Sequence, residues 1–396
     1  MQPGRRTEPW WRAAAAMFAV GWGANQFVPL LIVYRHTLRL DDAALASIFG
    51  VYAAGLAPGF LLGGPASDRL GRRPLVVAFT SLSAFASGVL ATGVWSPAGL
   101  YAGRLLIGVC AGIVFAVGSS WVKELSHAGS GAAARRASIT LSSAFAAGPL
   151  CAGVFAEWVP FPAVLPYGVQ AALALVAVLL ALGAPETRPA QLTGDRMGMP
   201  MGGRVGGPFL GATLSVAPWV FVCATTAFAV LPGRLPRVAG GDSALLSGLL
   251  TALALVVGAL VQQVAHGLAA RPNLGLSTGL GGAMLGLALG AAGAATGATP
   301  LVVTAIVALG AAYGLLLVTG LAEVVRVADP RTLGGMVAWY YAVAYLGIAA
   351  PYVIAGLAVA LGYPRVLAAA GAAAGMSLAG NLAYRRRLSS RKEVCA

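Results

Sequence analysis

The residues best equipped for chemistry are few and widely spaced. Gly64-Pro65-Ala66-Ser67-Asp68-Arg69-Leu70-Gly71-Arg72-Arg73-Pro74 packs an acid and three arginines between two apolar runs. Charges that close to hydrocarbon must pair with one another at the membrane surface, because an unpaired charge deeper in costs several kcal/mol. Arg104 is different: it falls inside an apolar run, where a cation either snorkels to the headgroups or serves a buried purpose. Glu323 and Arg326 share a helical face one turn apart, so they can form a surface ion pair or a proton-binding site. His36, His127 and His266 are scattered, and Cys110, Cys151, Cys223 and Cys395 have no metal-ligand spacing. A metal centre is not expected. Neither a nucleophile elbow nor a phosphate loop occurs, which argues against a membrane-embedded enzyme.

The elements that must position these residues are membrane helices. The chain is 59% hydrophobic and 10% charged, against about a quarter charged in a soluble domain. Windows of about twenty residues give apolar runs at Ala13 to Tyr34, Ala44 to Gly64, Leu75 to Val94, Ala98 to Val122, Ser138 to Trp158 and Val164 to Ala184. Six more follow at Phe209 to Leu231, Ala244 to Ala265, Leu274 to Ala295, Leu301 to Ala322, Leu333 to Leu357 and Val366 to Tyr384. The predicted fold is therefore all-α and polytopic: twelve transmembrane helices in two six-helix bundles. The first bundle occupies 1–184, a polar linker 185–208, and the second bundle with a basic tail 209–396. The Gly- and Ala-rich ninth and tenth runs are the least sharply bounded.

The net charge of +14 is explained by topology. With the N-terminus in the cytosol, only Arg35, Arg39, Arg234, Arg237 and Arg365 fall outside, Arg104 lies within a span, and the other basic residues lie inside. That is the positive-inside distribution, with both termini cytoplasmic, and it leaves no reason to invoke nucleic acid. The first run is too long for the apolar core of a signal peptide and is expected to remain as a helix. Arginine in excess of lysine, with abundant alanine, points weakly to a GC-rich bacterial genome, and so to a bacterial cytoplasmic membrane.

The pattern G-x-x-x-D-R-x-G-R-R between a second and a third span resembles the signature loop of the major facilitator superfamily. The resemblance extends to Pro185-Glu186-Thr187, similar to a sequence common after that family's sixth helix, which marks the boundary without naming a cargo. Leu100-x-x-x-Arg104-x-x-x-Gly108-x-x-x-Gly112 is similar to the fourth-helix motif of its antiporters, although Ile107 stands where glutamine is usual. Gly148-Pro149-Leu150-Cys151-Ala152-Gly153 resembles their motif G-P-x-x-G-G, with Ala152 replacing one glycine. The second-half counterpart of the signature loop, His266 to Pro272, has no acid.

The resemblance implies roles. Gly64, Asp68, Arg69, Gly71, Arg72, Arg73 and Glu124 would form a conformational latch on the inner face, with Gly64 allowing close helix approach and Gly71 a tight turn. Arg104 would serve proton coupling; with no acid mid-span, the proton would be carried by Asp68, Glu323, Glu157 or a histidine such as His36, of which Glu323 lies at the inner mouth of a central helix. Gly148, Pro149 and Gly153 would shape the fifth helix for export. Near mid-span on the helices that line the cavity in this family fall Asn25, Gln26, Trp219, Tyr313 and Tyr345, with one of Asn25 and Gln26 facing inward. No carboxylate lies mid-span, which favours neutral, amphipathic or anionic cargo over multivalent cations.

The expected function is secondary active transport, proton-coupled efflux of a small amphipathic organic molecule by alternating access. The alternatives are a proton-coupled uptake symporter for a sugar or organic acid and, in another class, a non-transporting membrane sensor. No cofactor is expected beyond the proton gradient as energy source. The expected partners are a small-molecule substrate, protons and membrane lipid, with the chain acting as a monomer.

Overall fold

The computed structural model describes residues 8–126, 130–187, 215–235, 243–328 and 333–394. Among them every regular element is helical. The chain divides into two compact units, Met1–Gly194 and Asp195–Ala396.

The first unit holds six membrane helices. α1 (Trp10–Thr37) is interrupted at Gln26, which separates Trp10–Asn25 from Phe27–Thr37. Pro29 has no N–H to offer the Asn25 carbonyl, so the ladder must lapse there. α2 (Asp42–Leu70) begins where the Asp41 side chain accepts from the Ala44 N–H at 2.7 Å. α3 (Arg72–Ala91) follows after Gly71 alone, whose φ of 95° lets one residue reverse the chain. α4 (Pro97–Glu124) starts with Ser96 as its cap and Pro97 in its first turn. α5 (Ser130–Trp158) carries Pro149 inside it, and α6 (Leu165–Leu182) completes the bundle.

The second unit contains α7 (Ala217–Val230), α8 (Ala244–Val264), α9 (Pro272–Thr296), α10 (Thr299–Val327), α11 (333–361) and α12 (Tyr363–Val394). The α9–α10 boundary, diffuse in the sequence, is set by Gly297, whose φ of 68° gives a left-handed stop. α11 is broken by a 3₁₀ turn at Leu346–Ala349. Among the described residues eleven helices are long and apolar enough to cross a membrane, while the described part of α7 is shorter and ends in a π turn at Thr226–Val230. The predicted start of that seventh span, Phe209, lies outside the described residues.

Close helix contacts are made by backbone against backbone. A Cβ on Gly59 would lie 3.0 Å from the Gly112 Cα, and one on Gly112 would lie 2.8 Å from the Gly59 Cα. The second unit repeats the device, where a Cβ on Gly314 of α10 would come within 2.9 Å of the Gly258 Cα of α8. Small residues permit this approach where lipid offers no hydrophobic drive between helices. Large apolar side chains such as Leu62, Leu179 and Val359 point outward, as a surface solvated by hydrocarbon requires. Gly64 was expected to share the close-approach role and does not: no described atom lies within 4 Å of where its Cβ would be. The approach falls to Gly55, Gly59 and Gly63, which lie on the face of α2 turned to α4.

Candidate functional site

The charged loop is organised around Arg72, which is 8% exposed although it carries a guanidinium. Its Nη1 reaches Asp68 Oδ1 at 2.7 Å, and its Nη2 reaches Glu124 Oε1 at 3.2 Å. The same Nη1 also donates to the Ser67 hydroxyl. Asp68, Arg72 and Glu124 thus come together, while Arg69 and Arg73 keep exposed side chains. Charge-assisted bonds to one planar fork fix its direction as well as its energy.

Two residues that sequence reasoning missed also join this cluster. Glu186 accepts from the Arg72 backbone N–H at 2.8 Å and from the Arg73 N–H at 3.0 Å. The Thr187 hydroxyl donates to Glu124. The only available signal was an acid beside a span boundary, and its partners lie more than a hundred residues away in the chain.

Arg104 is 1% exposed and turns inward. The snorkelling alternative is thereby excluded. Its Nη1 donates to the Ala24 carbonyl at 2.9 Å and its Nη2 to the Phe49 carbonyl at 3.3 Å. The rings of Tyr52, Phe27 and Phe49 surround the guanidinium with centroids at 4.5, 4.6 and 5.4 Å. No described carboxylate pairs with it, and its Nε has no partner. Ring faces and carbonyl dipoles therefore stabilise the charge, a combination that suits a flat guanidinium better than an ammonium. The spacing Phe49-x-x-Tyr52 placed two of those rings on one helical face, a signal that could have been used.

α5 approaches the same turn of α1. A Cβ on Gly148 would lie 3.2 Å from the Trp22 Cα, and one on Gly21 would lie 3.0 Å from the Ala144 Cβ. Pro149 and the buried Gly153 continue that helix. Arg104 and Gly148 therefore bear on Ala24 and Trp22, just before the interruption at Gln26. Gln26 itself is 0% exposed and accepts from the Trp22 indole N–H at 3.1 Å. It is enclosed in this structure, whereas Asn25 beside it is half-buried.

In the second unit Tyr313 and Tyr345 meet through a residue the sequence did not single out. Phe221 of α7 stacks on Tyr345 at 4.8 Å between centroids and lies 6.0 Å from Tyr313. Tyr341 extends the stack on Tyr345 at 6.0 Å. Trp219 is not part of this group: its indole N–H donates to Ser377 of α12 at 3.0 Å. Two positions along a helix turn a side chain through about 200°, so Phe221 and Trp219 present opposite faces. Glu323 is 3% exposed and grips Arg326 through both oxygens, at 2.6 and 2.9 Å. Among the described residues no group of three or more His, Cys, Asp or Glu side chains could hold a metal ion.

Helices of spanning length, an ion-paired surface loop and a buried cation describe a polytopic membrane transporter. The chain belongs to the Major Facilitator Superfamily, whose sequence profile matches residues 13–350. It is 31% identical over 127 residues to the inner membrane transport protein YnfM of Escherichia coli (strain K12). That match covers 31% of this chain and 30% of that protein's length. A point mutant of the nucleoside transporter NupG has a similar structure, with a TM-score of 0.77 at 12% identity, covering 95% of this chain and 99% of that one. A peptide transporter POT in complex with sulfate gives 0.80 at 15%, covering 98% and 96%. A POT family transporter in complex with 5-aminolevulinic acid gives 0.77 at 13%, covering 96% of each. At those identities the structural likeness speaks for the fold alone. The chain is a multi-pass membrane protein and a secondary transporter of this superfamily's type.

Proposed function

We propose that this transporter is a proton-coupled exporter of small amphipathic organic molecules, working by alternating access with the proton gradient as its energy source. The observation that carries the reading is the convergence on α1. Arg104 of α4 holds the Ala24 carbonyl, and Gly148 of α5 packs against Trp22, one turn from the helix interruption at Gln26. The two stretches that resemble antiporter motifs thus grip one pliable point.

Asp68, Arg72 and Glu124 act as the latch at the cytoplasmic end. Among the described residues the Arg72 guanidinium pairs with Asp68 and Glu124, so protonating Asp68 would remove one of its two charged partners, which links proton occupancy to the latch. Glu323, paired with Arg326, is a second candidate proton carrier. In the second unit the rings of Phe221, Tyr313 and Tyr345 contact the cargo. The absence of a carboxylate among them suits a neutral or anionic amphipath.

The test uses inverted membrane vesicles energised by respiration, with acridine orange reporting the pH gradient and Nile red as a neutral amphipathic probe. Nile red should accumulate in the vesicles, and its addition should partly collapse the gradient. Tyr345→Ala should raise the KM for the dye roughly threefold to tenfold, the scale of one lost aromatic contact. Energised accumulation of a radiolabelled sugar or organic acid in right-side-out vesicles, with no dye export, would instead select an uptake symporter.

A further inference from the structure

We infer that Glu186 is a positioning residue of the Asp68 loop: it caps the start of α3 from a distant part of the chain and so aims Arg72. α3 needs such a cap. Its first backbone N–H groups have no intrahelical acceptor, Gly71 before it has no side chain, and its first turn contains no acid. That turn instead begins with Arg72 and Arg73, which place positive charge on the positive end of the helix dipole. Glu186 answers both needs with one carboxylate, one oxygen on each of the two amides. It also adds a third acid, after Asp68 and Glu124, to a loop whose sequence carries Arg69, Arg72 and Arg73.

Two further observations tie the cap to the loop. The φ of 95° favours glycine at position 71, and a Cβ there would lie 2.8 Å from Glu186 Oε2, so a side chain would also push the carboxylate aside. The segment carrying Glu186 is also fastened to the end of α4. The Trp121 indole N–H donates to the Pro185 carbonyl at 3.1 Å, and the Thr187 hydroxyl donates to Glu124, the acid that holds Arg72. Residues 185–187 therefore join the start of α3 to the end of α4, and they immediately precede the polar stretch connecting the two units. The inference stands on this geometry and extends the latch of the proposed function.

Hydrogen–deuterium exchange on the full-length protein in detergent tests the cap directly, comparing wild type with Glu186→Ala and Glu186→Gln. The Arg72 and Arg73 amides should exchange roughly tenfold faster in Glu186→Ala, in the range of a lost helix cap. Amides at the far end of α3 should not change. Glu186→Gln keeps one acceptor oxygen and should fall between. Unaltered exchange at Arg72 and Arg73 in Glu186→Ala would overturn the cap.

A double-mutant comparison tests the link to the turn. Gly71→Ala should lower the melting temperature less in the Glu186→Ala background than in wild type, because the colliding carboxylate is gone; strictly additive losses would refute the contact. In vesicles the maximal rate of Nile red transport should fall threefold to tenfold in Glu186→Ala with KM unchanged. An unchanged rate would sink the positioning role even with the cap intact. A wild type that moves no dye would instead indict the proposed function, leaving the exchange and melting results to decide on Glu186.

Discussion

At the scale of single residues, Arg104 and Arg72 show two ways of holding a cation at low dielectric. Arg72 uses carboxylates and sits at a helix end; Arg104 uses ring faces and backbone carbonyls and sits within a bundle. Their substitutions should fail differently. Arg104→Lys keeps the charge but cannot serve two carbonyls and three rings together, so proton-driven transport should drop by tenfold or more in inverted vesicles while the purified protein stays folded. Asp68→Asn removes a charge from an exposed side chain, and an exposed pair contributes about 0–1 kcal/mol. Its melting temperature should therefore stay close to wild type, while cysteine-accessibility labelling should show a shifted balance between inward- and outward-open states. The importance of Arg104 was legible from its place in an apolar run. Its ring cage was not, because Phe27 and Phe49 come from other helices.

At the scale of elements, the glycines sort into two classes that sequence spacing alone does not separate. Gly112 is pressed against Gly59 and Phe60, whereas Gly64, five positions beyond Gly59, faces open space. Gly112→Ala must push two backbones apart and should cost about 1–3 kcal/mol, the usual range for overpacking. Gly64→Ala meets nothing and should leave stability unchanged or raise it slightly through helix propensity. Thermal unfolding in detergent, read for both variants side by side, checks the contrast. The α1 interruption had a visible cause in Pro29, but only the packed bundle brings Arg104 and Gly148 to that point.

At the scale of the whole molecule, charge placement predicts topology. The Asp68 loop and the C-terminal arginines Arg385, Arg386 and Arg387 should both report cytoplasmic locations in alkaline phosphatase and fluorescent-protein fusions. Opposite locations for the two would dismantle the two-bundle threading. The two units also share a device, glycine contact between their second and fourth helices, yet differ in where those fourth helices carry charge. Arg104 stands amid rings in α4, while α10 places its charge at one end, as Glu323 with Arg326. The halves have kept their packing and diverged in chemistry.

The sequence alone determined the helical class, nearly every span, the two-part layout and the charged loop, because hydrophobic length and charge placement are local properties read directly along the chain. It also placed Asp68, Arg72 and Glu124 at helix ends, and the family resemblance implied that they meet. Tertiary structure alone decided that Glu186 caps α3, that Phe221 rather than Trp219 joins Tyr313 and Tyr345, and that Gln26 is enclosed. Those outcomes depend on which face of one helix meets which face of another, and spacing along a single helix cannot specify its partner.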